Sequence, residues 1–223
     1  MKTALSVLLI ALTSMAGALG AVPTDGVTDW LIAAGQEPRE LRHIAPFTPD
    51  GDEIIGADPL VYDLGYPYPF IKIPPGPAEV VALIEPSEGR TALAALIFHD
   101  GTPVCGKKVG SIWVDSGTAA FLTRDTAEKL AAMRAEFGAH NQNLYDDYFA
   151  APHQMGESAF ARMLTLPDGT AFPGFSSGWG DGGYPVVTLY DDQGQLLALY
   201  ADFMGTEKID NYILPPPCAD AGT

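Results

Sequence analysis

A chain of 223 residues, 47% hydrophobic and 18% charged, reads as a globular protein of one domain with a substantial core, and no more than two. Its 28 acidic against 12 basic side chains give a net charge of −16, which excludes nucleic-acid binding, because neutralising phosphates needs a basic patch. The same field repels anionic lipid; any attraction it exerts is for cations or a basic partner, and otherwise it keeps the protein soluble.

In chain order, Lys2 precedes an apolar run (Ala4, Leu5, Val7, Leu8, Leu9, Ile10, Ala11, Leu12) that gives way to Ala16, Gly17, Ala18 and Gly20. That is the layout of a secretory signal peptide. The run is shorter than the ~20 residues a membrane-spanning helix needs, and no second stretch of that length follows. Cleavage is expected after Ala18, Gly20 or Ala21, so residues 1–21 are assigned to the signal and 22–223 to a single exported domain, periplasmic or secreted. With Lys2 removed, 11 basic against 28 acidic side chains leave −17. Two cysteines, Cys105 and Cys218, are expected to pair in an oxidising compartment and fasten the tail Leu214-Pro215-Pro216-Pro217-Cys218 to the domain.

Residues 22–50 read as an irregular opening with a short helix over 27–34 (VTDWLIAA). The apolar runs 79–85 (EVVALIE) and 91–98 (TALAALIF) flank Pro86-Ser87-Glu88-Gly89-Arg90 and predict a hairpin. After the Asp100-Gly101 turn, 104–109 and 111–115 continue the β pattern, and the succession implies an antiparallel meander. One clear helix begins near Thr123 to Asp125: Asp125 and Glu128 have capping-box spacing, Ala127, Leu130, Ala131, Met133 and Phe137 recur at helical intervals, and Gly138 supplies the stop. A second short helix is assigned to 143–150, with Tyr145, Tyr148 and Phe149 as its core face. Strands 161–166 and 170–175 surround Asp168-Gly169, and 184–190 and 195–203 surround Asp191-Asp192-Gln193-Gly194, where Gly194 can take the left-handed position of a bulged turn. The fold class is α+β, mainly antiparallel sheet.

Two loops carry the candidate chemistry. Trp113-Val114-Asp115-Ser116-Gly117-Thr118 looks like the hydrophobic-Asp-Ser-Gly-Thr signature of aspartic proteases, but that chemistry needs two carboxylates sharing a proton, and no second Asp-Ser/Thr-Gly occurs. The run Ser177, Gly178, Trp179, Gly180, Asp181, Gly182, Gly183, Tyr184 is the candidate binding loop. Its glycines can aim backbone N–H groups at an anion, or its carbonyls and Asp181 can join acids around calcium; it matches neither the P-loop nor the EF-hand pattern. A tight connection with Trp179 packed back on the sheet explains the same residues structurally. His43, His99, His140 and His153 are too scattered for a zinc set, no Gly-x-Ser-x-Gly elbow occurs, and neither metal nor cofactor is assigned.

Several blocks resemble the bacterial family called domain of unknown function 4241: the turn 50–56 leading to Asp58-Pro59-Leu60, then Pro74-Pro75-Gly76, Val114 to Thr118, Ser177 to Pro185, and Asp202-Phe203. The resemblance spans residues 49–204 and implies no established active site. The family block carries alanine where this chain has Ser116, which makes Asp-Ser-Gly-Thr a variation on a structural turn. The reading favoured is a non-enzymatic binding module for a protein or small-molecule partner, with Trp179, Asp181 and Tyr184 presented together at its contact surface. Its alternative is a hydrolase using Asp115 or Asp181 as acid or base.

Overall fold

The computed structural model describes residues 26–34, 39–64, 69–156, 159–205 and 215–219, so the assigned signal peptide and Leu214 of the tail lie outside the described residues. The first element is helix α1 (Val27–Ala34), as its pattern predicts. Strand β1 (Glu40–Phe47) follows within the segment read as irregular. Its residues are mostly exposed or half-buried, because it forms one edge of a sheet, and with Pro46 inside it no period-2 alternation survives to be read.

Six strands make the first sheet, in the order β1, β4 (Ala78–Ile84), β5 (Thr91–Ile97), β11 (Leu196–Asp202), β10 (Gly182–Tyr190), β6 (Cys105–Val114). Five make the second: β3 (Ile71–Lys72), β2 (Glu53–Ala57), β7 (Thr118–Thr123), β9 (Ala171–Ser176), β8 (Ala161–Thr165). All strand pairs within the two sheets are antiparallel, and the α+β class stands. Neighbours in space are not always neighbours in sequence, however. The β10–β11 hairpin inserts between β5 and β6, so the hairpins do not form one continuous meander.

The two sheets stack as a sandwich between helices. Ile54, Ala119, Phe121 and Phe175 of the second sheet meet Val80, Leu96, Ile112, Val186 and Leu199 of the first in one buried cluster. The outer face of the first sheet packs Val81, Leu83, Leu93 and Tyr200 against Val27 and Leu31 of α1. On the outer face of the second, Ile55, Leu122, Leu164 and Phe172 meet helix α2 (Arg124–Ala139) and the π-helix Tyr145–Phe149. Being covered on both faces explains why 79–85 and 91–98 are near-continuous apolar runs rather than alternating ones. Each fully buried Leu, Ile or Phe of these layers contributes roughly 1.5–3 kcal/mol relative to exposure.

Both ends of α2 depart from the predicted signals. Its cap is Thr123, whose hydroxyl accepts from Thr126 N at 3.2 Å, so Asp125 and Glu128 lie inside the helix rather than forming the box. Gly138 also lies inside; the chain turns at Asn141, the described non-glycine residue with positive φ (57°), an arrangement asparagine tolerates. Gly194 does take its predicted left-handed conformation (φ 79°), beside a register shift at Leu189/Tyr190.

Cys105 and Cys218 are bonded, across a separation of 113 residues. Two backbone hydrogen bonds extend the attachment: Gly106 N donates to Pro216 O at 3.0 Å and Cys218 N to Gly106 O at 3.3 Å. The tail thus covers the outer edge of the start of β6, an edge strand whose other side pairs with β10.

Candidate functional site

Two loops that looked unrelated in sequence are both crossovers between the sheets. Asp115-Ser116-Gly117 carries the chain from β6 in the first sheet to β7 in the second, and Ser177 to Asp181 carries it back from β9 to β10. Because β6 pairs with β10 and β7 with β9, the crossovers must lie side by side: Val114 sits opposite Gly182 and Thr118 opposite Ser176. Ser177 N donates to Gly117 O at 2.9 Å and joins them directly.

Asp58 braces the first crossover. Its carboxylate, 2% exposed, follows β2 and accepts four hydrogen bonds: Leu60 N (3.0 Å) and Ser116 Oγ (2.8 Å) on Oδ1, Asp115 N (3.0 Å) and Ser116 N (2.8 Å) on Oδ2. This satisfies donors that the sharp turn would otherwise leave unpaired. The buried acid of this region is therefore Asp58, and Asp115 itself is exposed.

The second crossover is held from below. Gly180 O accepts from Ser177 Oγ at 2.7 Å and from Tyr184 Oη at 2.8 Å, and Gly180 N donates to Ser177 O at 2.8 Å. Arg90 Nη1 donates to Gly178 O at 3.1 Å, and Trp179 N to Phe203 O at 3.3 Å. Gly178 has no room for a side chain: a Cβ there would come within 2.0 Å of Met204 Cγ and 2.9 Å of the Thr91 carbonyl. Gly180 has φ 89°, which an L side chain rarely adopts.

The predicted joint presentation of Trp179, Asp181 and Tyr184 therefore needs correction. Tyr184 is 4% exposed and points into the core, edge-to-face with Phe203 at 5.3 Å, because inward positions of β10 are filled by the inter-sheet core. Its phenol anchors the loop instead of meeting solvent. Ser177 and Gly178 are buried as well, whereas Gly180 and Gly182 are partly open and Asp181 is exposed. Trp179 does not fold back on the sheet; its side chain is outward and the residue is 55% exposed.

Beside Trp179 lies an open cleft of about 330 Å³. One wall is the loop Ser176 to Gly180 and another is Ser116-Gly117-Thr118, so both candidate motifs contribute to it. Arg90, Tyr145, Met155, Gly156, Ala159 and Phe160 complete the described lining, and no sequence motif marks them as site residues. Tyr145 belongs to the predicted core face of 143–150, and here the structure differs. Within the π-helix only Phe149 is fully buried and Tyr148 packs on the cluster, while Tyr145 is 37% exposed and donates to Gly156 O at 3.1 Å. The i→i+5 bond from Ala150 N to Tyr145 O, 2.7 Å, marks a winding on which an α-helical periodicity does not hold.

Neither Asp115 nor Asp181 lines the cleft. Each lies one residue beyond the Val114–Gly182 pair, so the two acids stand at the same end of the β6–β10 ladder, both in solvent. Among the described residues no three His, Cys, Asp or Glu side chains are grouped as metal ligands. A larger hollow, about 510 Å³, opens between the start of α1 and the end of β5, near Asp29, Glu79, His99 and Asp100, without an exposed tryptophan or tyrosine in its lining.

No curated protein and no solved structure matches the chain. The matched family segment takes in both crossovers, α2 and Tyr145, but excludes Asp58, Arg90, Asp202-Phe203 and both cysteines. Residues 109–201 match the model of the family described as "Protein of unknown function (DUF4241)", the family its sequence blocks resemble.

Proposed function

We propose that this protein is an exported, non-enzymatic binding module whose contact surface is the cleft between the two crossovers, with Trp179 at its rim. The observation that carries the reading is the combination of a concave site and an indole held outward on an anchored loop. The hydrogen bonds to Gly178, Trp179 and Gly180 fix that backbone before any ligand arrives, and fixed aromatic anchors beside pockets dominate recognition energetics. Export is supported by the signal-like opening of the chain and by the cystine, which persists in oxidising compartments.

The alternative, hydrolysis through Asp115 or Asp181, draws support from the nearness of the two carboxylates at one ladder end. It draws none from burial, since an acid or base of raised pKa needs a desolvated carboxyl and both residues are exposed. Among the described residues the lining of the cleft offers no carboxylate and no histidine.

The test is a capture experiment with immobilised wild-type protein and Trp179→Ala, exposed to periplasmic extract and culture medium. A component retained by the wild type and lost by the variant is expected. Equal retention by both, or retention by neither, would remove the cleft as the contact surface.

A further inference from the structure

We infer that the ligand of this cleft is a neutral saccharide, laid with one face on Trp179 and its hydroxyls toward the polar wall; the inference rests on the binding reading above.

Charge is the first argument. Among the described residues Arg90 is the charged side chain of the lining, and its guanidinium is paired with Glu88. Among the described residues the cleft therefore presents one cation balanced by its counter-ion, with no unbalanced charge to select a carboxylate, a phosphate or an ammonium group.

The second argument is the direction of the hydroxyl protons. Ser116 Oγ donates to Asp58 Oδ1 at 2.8 Å, Ser177 Oγ to Gly180 O at 2.7 Å, and Thr118 Oγ1 to Met155 Sδ at 3.9 Å. Ser176 Oγ is engaged with both the N–H and the carbonyl of Phe160, at 3.1 and 3.3 Å. With their protons committed within the protein, these side chains can offer a ligand only oxygen lone pairs, so the ligand must bring O–H or N–H donors of its own. Donation in the other direction comes from Arg90. A guanidinium has five N–H groups, and among the described residues Arg90 uses them on Gly178 O and Glu88, which leaves some for a ligand oxygen.

The third argument is the aromatic pair. Trp179 and Tyr145 both line the cleft and are 55% and 37% exposed. An aromatic face carries the negative end of a quadrupole and attracts weakly positive hydrogens. A pyranose fits this combination: several C–H bonds on one face, and hydroxyls around the edge that both donate and accept. An aliphatic ligand would leave the lone pairs unmet, and a charged one would find no unbalanced partner among the described residues.

The experiment follows the heat of binding by titration calorimetry, which needs no indole at position 179, for the full mature chain with oligosaccharides of glucose, mannose, galactose and N-acetylglucosamine. Oligogalacturonate, a chitosan oligomer and a lysine peptide are the charged probes. Saturable binding of at least one neutral sugar is expected, insensitive to added salt because no ion pair is formed. Trp179→Ala should weaken it roughly tenfold, with Trp179→Phe largely restoring it, since the stacking face is what matters. The melting temperature of both variants should match the wild type, which separates lost contact from lost fold. Preference for a charged probe, failure of every neutral sugar, or binding untouched by Trp179→Ala would overturn the inference. In that event a Trp179-dependent component in the capture experiment would leave the binding reading standing with another ligand class, and its absence would remove both.

Discussion

Replacing Asp58 with alanine tests whether the crossover turn is held by one buried carboxylate. Four hydrogen bonds are lost together, from Leu60 N, Asp115 N, Ser116 N and Ser116 Oγ. Bonds to a charged group are worth roughly 1.5–3 kcal/mol each in buried settings, but Asp115 and Ser116 are exposed and water can reach their amides once the carboxylate is gone. Taking about 1 kcal/mol for each of the three backbone donors, with the hydroxyl free to find water, gives a destabilisation of about 3 kcal/mol. In a domain of this size each kcal/mol lowers the melting temperature by roughly 2–4 °C, so the expected drop is about 6–12 °C. Thermal unfolding followed by circular dichroism measures it, with Asp181→Ala as the exposed control. Ser116→Ala, which removes one bond, should cost only about 1 kcal/mol, and the double variant should fall short of the sum because the two share that bond. A drop below about 2 °C for Asp58→Ala, the scale of an ordinary surface substitution, would refute the brace.

Reducing the Cys105–Cys218 bond, which closes 113 residues, should cost about 5 kcal/mol on the chain-entropy model, read as a lower melting temperature in reductant that Cys105→Ser/Cys218→Ser reproduces and reductant no longer changes. Equal melts with and without reductant would show the tail to be held by its other contacts. A different regime is probed by Asp168, whose carboxyl is held from its ordinary 3.8 down to about 2, first by the N–H of Thr170 and then by Lys129. A depressed folded value means that stabilisation is complete above the ordinary carboxylate range and is lost as pH falls through about 2. The melting difference between Asp168→Asn and wild type should accordingly be small at neutral pH, since the side chain is half exposed and screened by solvent, and vanish in acid; a difference that grows in acid would contradict the assignment.

Much of the local structure was legible, for identifiable reasons. The helix 27–34, the hairpin around Pro86 to Arg90, the strands around Asp168-Gly169 and the bulged turn at Gly194 all announce themselves through apolar runs bounded by turn residues. The missed strands lacked one part of that signal, a long apolar run in one and a closing turn in the other. β2 follows Asp50-Gly51-Asp52 and spans only five residues with a glycine inside, and β7 (TAAFLT) runs without interruption from one turn into the cap of α2, so its alanines read as spacer. Those two strands are central to the second sheet, and without them the sandwich could not be foreseen. The cleft shows the same division. Gly178, Gly180 and Trp179 stood out by composition, whereas Arg90 enters from a hairpin turn 88 residues away and Tyr145 from a π-wound segment.

The amino-acid order alone determined what is local in this protein: where turns fall, which runs are apolar enough to be buried, and the sign of its charge, since each depends on neighbouring residues. Which loops become neighbours was decided only by the tertiary structure. A crossover loop acquires its position from the pairing of the strands it joins, and pairing is a long-range choice made by the burial of whole faces. The same reason turned Tyr184 inward, gave Asp58 its four donors and set an indole, a guanidinium and two turns around one cleft.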